Sequence, residues 1–336
     1  MKRVLLTGAS GFVGSHVLRH LLVNTDYEIV CPTTFTHKGL QDRIRHAVRE
    51  IDEDYARTKV IRCDFTSPIS TLTALEFGKI DYVLNVASES HVDRSIEYPA
   101  PFIINNVMLI CHILDWARNT DIEKFVQIST DEVYGPAHDG YAHTEWKDQH
   151  LPSNPYSASK AAQEDIAFSY WRTYGIPLAI TNTMNIIGET QDPEKFVPMV
   201  IKRVLSGEKI SIHGSLDGRI GSRFYLHARN QADGLLHVLG LDFPKYGESD
   251  MPLRLHIAGE REVDNLELAT LISEYVGEPL NYEIVDFHTS RPGHDLRYAL
   301  NCDAIESTGW KAPLPLEESL EKTVKWSLDH PEWLLI

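Results

Sequence analysis

The sequence predicts an α/β fold, a doubly wound parallel sheet followed by a smaller C-terminal α/β lobe. Three observations carry this. A short apolar run at 4–6 leads directly into Gly8, Gly11 and Gly14 and an amphipathic stretch. Further apolar runs at 27–31, 59–62, 81–86, 124–128 and 178–181 alternate with helical patterns. Past Asn185 that rhythm loosens. Strand and helix in strict alternation argue for parallel strands covered on both faces.

The first element, Val4-Leu5-Leu6, runs into Thr7-Gly8-Ala9-Ser10-Gly11-Phe12-Val13-Gly14-Ser15-His16, a GxxGxxG turn that opens a helix. Glycine is needed where the turn is tight, where backbone approaches a pyrophosphate and where helix meets sheet. The helix N-terminus then offers N–H donors and a positive dipole end to phosphates. Gly8, Ser10, Gly11, Phe12, Val13 and Gly14 are therefore candidate cofactor contacts of a Rossmann-type dinucleotide domain. The second strand should end in an acid that binds the adenosine ribose of NAD. It reads Cys31-Pro32-Thr33-Thr34-Phe35-Thr36-His37-Lys38 instead, which leaves NADP open through Thr33, Thr34, His37 or Lys38. Asp64, after the third strand, can reach an adenine edge or serve its own turn. After the fourth strand, the small-residue loop from Asn85 to Ser95 places Ala87 and Ser88 near a pyrophosphate and Ser90 and His91 near a sugar.

The fifth strand, 124–128, delivers Thr130, Asp131 and Glu132 just past its carboxyl end, where ligands bind in open α/β sheets. A helix over 155–174 follows, and the spacing of four puts Tyr156 and Lys160 on one face. A nearby ammonium favours phenolate, so the pair reads as a base for an alcohol proton. Such a pair arises readily by chance, and a buried Tyr beside a snorkelling Lys is the bland reading. The doublet and the glycine turn weigh against it. Residues 1–184 thus form the dinucleotide domain, with about 223–242 returning to it, and 185–336 form the second lobe. There, Pro193 to Pro198 open a helix, and Arg219, Arg223 and Arg291 are candidates to clamp a diphosphate.

Composition narrows the partners. A formal net charge of −16 over 336 residues argues against a nucleic-acid backbone and leaves small anionic ligands open. Cys31, Cys63, Cys111 and Cys302 show no CxxC spacing, so neither a disulfide framework nor a metal site is expected. No stretch approaches 18 uninterrupted apolar residues, and the expectation is a cytoplasmic protein with no membrane partner. The apolar faces at 102–118 and on the Tyr156 helix suit either core or a dimer contact.

TGASGFVGSH, ASESHVDRSI, STDEVYG, NPYSASKA, DPEKFVP and RPGHDLRYAL together resemble the extended short-chain dehydrogenase/reductases, and among them the nucleotide-diphosphoglucose 4,6-dehydratases. That resemblance covers almost the whole chain and implies a homodimeric NAD enzyme acting on a nucleotide sugar. It implies Tyr156, with Thr130 and Lys160, as base at the 4-hydroxyl, Glu132 as base at carbon 5 and Asp131 as acid for the departing 6-hydroxyl. Neighbouring carboxylates push their titrations apart, which suits one acid and one base. It further implies substrate contacts at Asn185, Glu194, Lys195, Arg223, Asn265, Arg291 and His294. The chain departs from the family at Pro32, where an acid is usual, and at Arg223-Phe224-Tyr225-Leu226-His227-Ala228-Arg229-Asn230, where the family has Arg-Asp-aromatic and an acidic turn. An epimerase or decarboxylase of the same fold, or a non-catalytic nucleotide-sugar-binding module, are the competing readings.

Overall fold

A computed structural model describes residues 1–36, 38–215, 218–286 and 296–335. Its first half contains β1 (Arg3–Thr7), β2 (Glu28–Thr33), β3 (Thr58–Arg62), β4 (Tyr82–Asn85), β5 (Lys124–Thr130) and β6 (Leu178–Thr183). Between them lie α1 (Phe12–Asn24), α2 (Gln41–Val48), α3 (Thr71–Phe77), α4 (Val92–Glu97), α5 (Pro99–Ala117) and α6 (Pro155–Tyr174). The second half adds β7 (Ile186–Ile187), β8 (Ile210–Gly214), β9 (Ser222–Arg223), β10 (Leu226–His227), β11 (Leu253–Ile257), β12 (Val263–Asp264) and β13 (Tyr282–Asp286). Its helices are α7 (Phe196–Ser206), α8 (Ala228–Gly240), α9 (Asn265–Val276), Asp303–Ser307 and Leu316–Asp329.

Seven strands form one parallel sheet in the order β3-β2-β1-β4-β5-β6-β11. Strand order reverses beside β1, which opens a crevice at the carboxyl ends of β1 and β4. On one face α1, α2 and α8 bury Val17, Leu18, Leu21, Ile44, Leu235 and Val238. The other face is covered by α5 and α6, whose Leu109, Ile110, Ile113, Ala167 and Trp171 pack on Val83, Phe125 and Leu178. By length and composition α5 could cross a membrane, yet Phe102, Leu109, Ile110, Ile113 and Leu114 are buried within the fold. A separate core joins α7, β8, α9 and Leu316–Asp329 through Val200, Ile201, Ile212, Leu268, Ile272, Leu320 and Val324.

Three boundaries differ from the sequence reading. β2 continues through Pro32, because its register with β1 ends at Val30 and only β3 pairs with it there, so no ladder needs the missing N–H. β5 runs on to Thr130, which pairs with Thr183 as the last residue of the strand, not a residue beyond it. The return to the first layer reaches beyond 223–242: β11 pairs with β6, and Leu255, Ile257, Ile305 and Trp310 join the core under α1 and α8.

Candidate active site

The glycine turn is dictated by crowding. Gly8 has φ +73°, and a Cβ on it would stand 2.9 Å from the Ala87 nitrogen. A Cβ on Gly14 would stand 2.0 Å from the Gly8 carbonyl oxygen, so helix and strand meet backbone to backbone. The turn closes through Gly11 N–H donating to the Gly8 carbonyl at 2.9 Å. Ser10 and Thr33 share a hydroxyl hydrogen bond of 2.6 Å where the usual acid is missing. Phe12 lies edge-on to His16, and Val13 packs on the core. Asp64 accepts from Thr66 N–H and Oγ1 at 2.9 and 2.8 Å, so it serves its own turn. Lys38 leans toward Asp192 and Glu194, at 3.8 and 3.4 Å. That draws away the cation expected to favour a 2′-phosphate; His37 lies outside the described residues.

A buried series of side chains, missed in the sequence, ties this turn to α6. Thr7 Oγ1 accepts from Ala87 N–H and donates to Asn85 Oδ1, at 2.9 and 2.7 Å. Asn85 Nδ2 donates to Gln127 Oε1 at 2.7 Å. Gln127 Nε2 and Lys160 Nζ both donate to Gln163 Oε1, at 3.2 and 2.7 Å. Asn85 and Gln127 occupy paired positions in β4 and β5. Polar residues in paired apolar strands were the available signal, but register had to be known to read it.

At the end of β5, Thr130 Oγ1 donates to Asp131 Oδ1 at 2.8 Å. Asp131 is 3% exposed, and burial and then the neighbouring Glu132 raise its pKa from 3.8 to about 7, against the Thr130 hydrogen bond and the Arg223 charge. Glu132 is half-buried, and Asn154 Nδ2 donates to its Oε2 at 3.1 Å. Asn154 is also the N-cap of α6: its side chain accepts from Ser157 N–H, and the Ser157 hydroxyl answers as the other half of the capping box. Two residues past the cap, Tyr156 faces the Thr130 side chain, which acts on its phenol. The helix start therefore places Asn154 and Tyr156 against the Thr130-Asp131-Glu132 turn.

The expected effect of Lys160 on the phenol needs correction. Burial, followed by the charges of Glu132 and Asp131, pushes the Tyr156 pKa above the ordinary phenol range. Lys160 Nζ instead donates to the Ile128 carbonyl and Gln163 Oε1, each at 2.7 Å. Its own pKa is lowered to about 8 by burial, with Glu164 opposing. Helical spacing put both residues on one face, but β5 and Gln163 attract the ammonium.

The second lobe contributes a charged rim. His91 Nε2 lies 3.3 Å from Glu194 Oε1, and His91 Nδ1 caps α4. Lys195, the N-cap of α7, has its pKa lowered by burial against the charges of Glu194, Asp192 and Glu132, which sets it near the doublet. The Arg223 guanidinium lies 4.5 Å over the Tyr298 ring and donates to the Ser222 and Leu296 carbonyls at 2.6 and 2.7 Å. Asn265 Oδ1 accepts from Tyr225 at 2.6 Å. Asn185 and Ser90 are exposed, Ala87 and Ser88 are half-buried, and Arg219 pairs with Asp139 at 3.3 Å. Arg291 and His294 lie outside the described residues.

The parallel sheet, the crowded glycine turn and the Tyr156–Lys160 helix define a dinucleotide-binding protein of Rossmann type. The sequence profile of the NAD dependent epimerase/dehydratase family matches residues 4–246, and the chain belongs to this family of NAD enzymes. It is 35% identical over 331 residues to the low-salt glycan biosynthesis protein Agl12 of Haloferax volcanii, covering 98% of this chain and 99% of the other. With dTDP-glucose 4,6-dehydratase 1 of Escherichia coli K12 the identity is 33%, over 99% and 94% of the two chains. A crystal structure of DesIV, a dTDP-glucose 4,6-dehydratase from Streptomyces venezuelae with NAD and TYD bound, matches with a TM-score of 0.85 at 30% identity over 98% of each chain.

Proposed function

We propose that the chain is a nucleotide-diphosphohexose 4,6-dehydratase acting on dTDP-glucose or UDP-glucose. The observation that carries this is the Asp131–Glu132 pair, in which burial and the second carboxyl hold the first protonated to about pH 7. An epimerase has no water to expel and no use for such an acid beside a base.

The crowded backbone of Gly8, Gly11 and Gly14, together with the Ser10–Thr33 hydroxyls, fits the pyrophosphate and ribose of NAD without requiring an acid at Pro32. Bound there, NAD supplies the acceptor for hydride from carbon 4 and its return to carbon 6. Tyr156, entering as the phenolate, takes and keeps the proton of the 4-hydroxyl, while Asp131 keeps its own proton for the later step. The 4-ketone acidifies the hydrogen on carbon 5, which Glu132, oriented by Asn154, removes. Asp131 then protonates the 6-hydroxyl, which leaves as water. Arg223, Lys195 and Asn265 face the sugar diphosphate from the lobe, with Arg291 and His294 assigned to it by sequence alone.

The same reading carries a cytoplasmic homodimer. Tyr98, Ile103 and Ile104 at the start of α5 are 61%, 37% and 59% exposed, and the four cysteines are unpaired.

Mass spectrometry after incubation with dTDP-glucose, UDP-glucose or GDP-mannose, with NAD or NADP, tests the assignment. Loss of one water is expected from a glucose nucleotide with NAD, whereas an isomer of unchanged mass would establish an epimerase. In Gly14→Ala, the new methyl meets backbone that cannot retreat. NAD affinity measured by calorimetry is expected to fall by about tenfold or more.

A further inference from the structure

We propose that Glu164 is a positioning residue for the dehydration: paired with buried Arg254, it fixes the backbone of Thr130 through the Asn182 amide and faces Lys160 along α6. The inference rests on the dehydratase reading above. Tyr156, Lys160 and Glu164 follow one another at intervals of four on the face of α6 that meets β5. Glu164 and Arg254 are 1% and 5% exposed. Asn182 Nδ2 donates to Glu164 Oε1 at 2.7 Å and to the Thr130 carbonyl at 3.0 Å. Arg254 Nε donates to Asn182 Oδ1 at 3.0 Å, and its Nη2 bonds Glu164 Oε2. Both ends of the amide are thus committed, and only one orientation of Asn182 satisfies them. The amide holds the last residue of β5, whose hydroxyl serves Tyr156 and Asp131.

A buried ion pair is weak evidence for stability, since apolar residues of the same volume often do as well. Here its geometric output is the aim of one amide at the catalytic strand end. Charges reach the pair from several elements. His150, in the loop before α6, lies 3.0 Å from Glu164 Oε2 and 3.2 Å from Asp165 Oδ1. Glu145 from the same loop and His256 from β11 act on or feel Arg254, which sits over the rings of Tyr134 and Trp146 at 5.1 and 4.8 Å. Toward Lys160, Glu164 is the charge that opposes the effect of burial, while Asp131 and Glu132 lie beyond Tyr156.

Two readouts test the role. Nitrogen-15 NMR of lysine-labelled protein follows the Lys160 ammonium, and product formation gives kcat and KM. In Glu164→Gln the Lys160 midpoint is expected to fall by about one pH unit, while Glu164→Asp, which keeps the charge, retains the wild-type midpoint. Glu164→Gln combined with Arg254→Leu leaves neither charge buried alone, so it serves where the single variant folds poorly. It is expected to keep KM within about twofold and to lose about tenfold or more in kcat. A folded double variant with wild-type kcat and an unmoved Lys160 midpoint would overturn the proposal. Wild-type protein that removes no water from any nucleotide hexose would instead remove the dehydratase function, and the NMR titration would still decide what Glu164 does to Lys160.

Discussion

Glu132→Gln is expected to bind a nucleotide hexose normally and to lose about 10²–10⁴-fold in water elimination. The substitution preserves shape and the hydrogen bond from Asn154 Nδ2, which the new amide oxygen accepts as the carboxylate did. What disappears is the capacity to take a proton from carbon 5. Mass spectrometry in heavy water reads that step directly, because wild-type product acquires solvent deuterium at carbon 5 and the variant's substrate pool stays unlabelled. Full elimination by the variant would reassign the base.

Asp131→Asn carries two effects of opposite sign. Activity should fall by a similar factor, because an amide cannot protonate the 6-hydroxyl. Stability should rise at alkaline pH. The folded pKa of Asp131 lies at about 7, above its ordinary 3.8, so its contribution to stability is fully present below about 3.8 and is lost as pH rises through about 7. Above that point the native chain buries an ionised carboxylate whose Oδ2 has no hydrogen-bond partner among the described residues. Thermal unfolding of the variant at pH 8 should therefore exceed wild type by a margin that shrinks at pH 5. The same titration predicts that wild-type elimination declines as pH rises through about 7, since only the protonated carboxyl is competent. An Asp131→Asn variant no more stable than wild type at pH 8 would mean that this carboxyl is not held protonated by its surroundings.

What could be read from the chain was local. Gly8, Gly11 and Gly14 declare a turn because only backbone without Cβ tolerates those contacts, and the spacing of Tyr156 and Lys160 fixes a shared helical face. Neither rule reaches across the sheet. The Thr7-Asn85-Gln127-Gln163 series depends on which strands are neighbours and in what register, and the ammonium of Lys160 follows those neighbours away from Tyr156. β11 was hidden for a related reason. Its segment Leu253-Arg254-Leu255-His256-Ile257 carries a cation and a histidine at alternate positions and so imitates a strand with one wet face. Both polar residues are in fact buried, Arg254 against Glu164 and His256 against Tyr134 at 2.8 Å. A pattern of polarity cannot announce that its polar members have found partners.

The placement of β11 also governs how the molecule comes into being. During synthesis the strands through β6 emerge first, but the edge of β6 stays uncovered until 253–257 has been made, and the core below waits for Ile305 and Trp310. About seventy residues separate the two strands, so the nascent sheet must hold an open edge while they are translated. A chain stopped after Thr183 would keep the glycine turn and the Tyr156 helix yet present β6 as an adhesive border, and it should aggregate on the ribosome's timescale instead of yielding an isolated nucleotide domain.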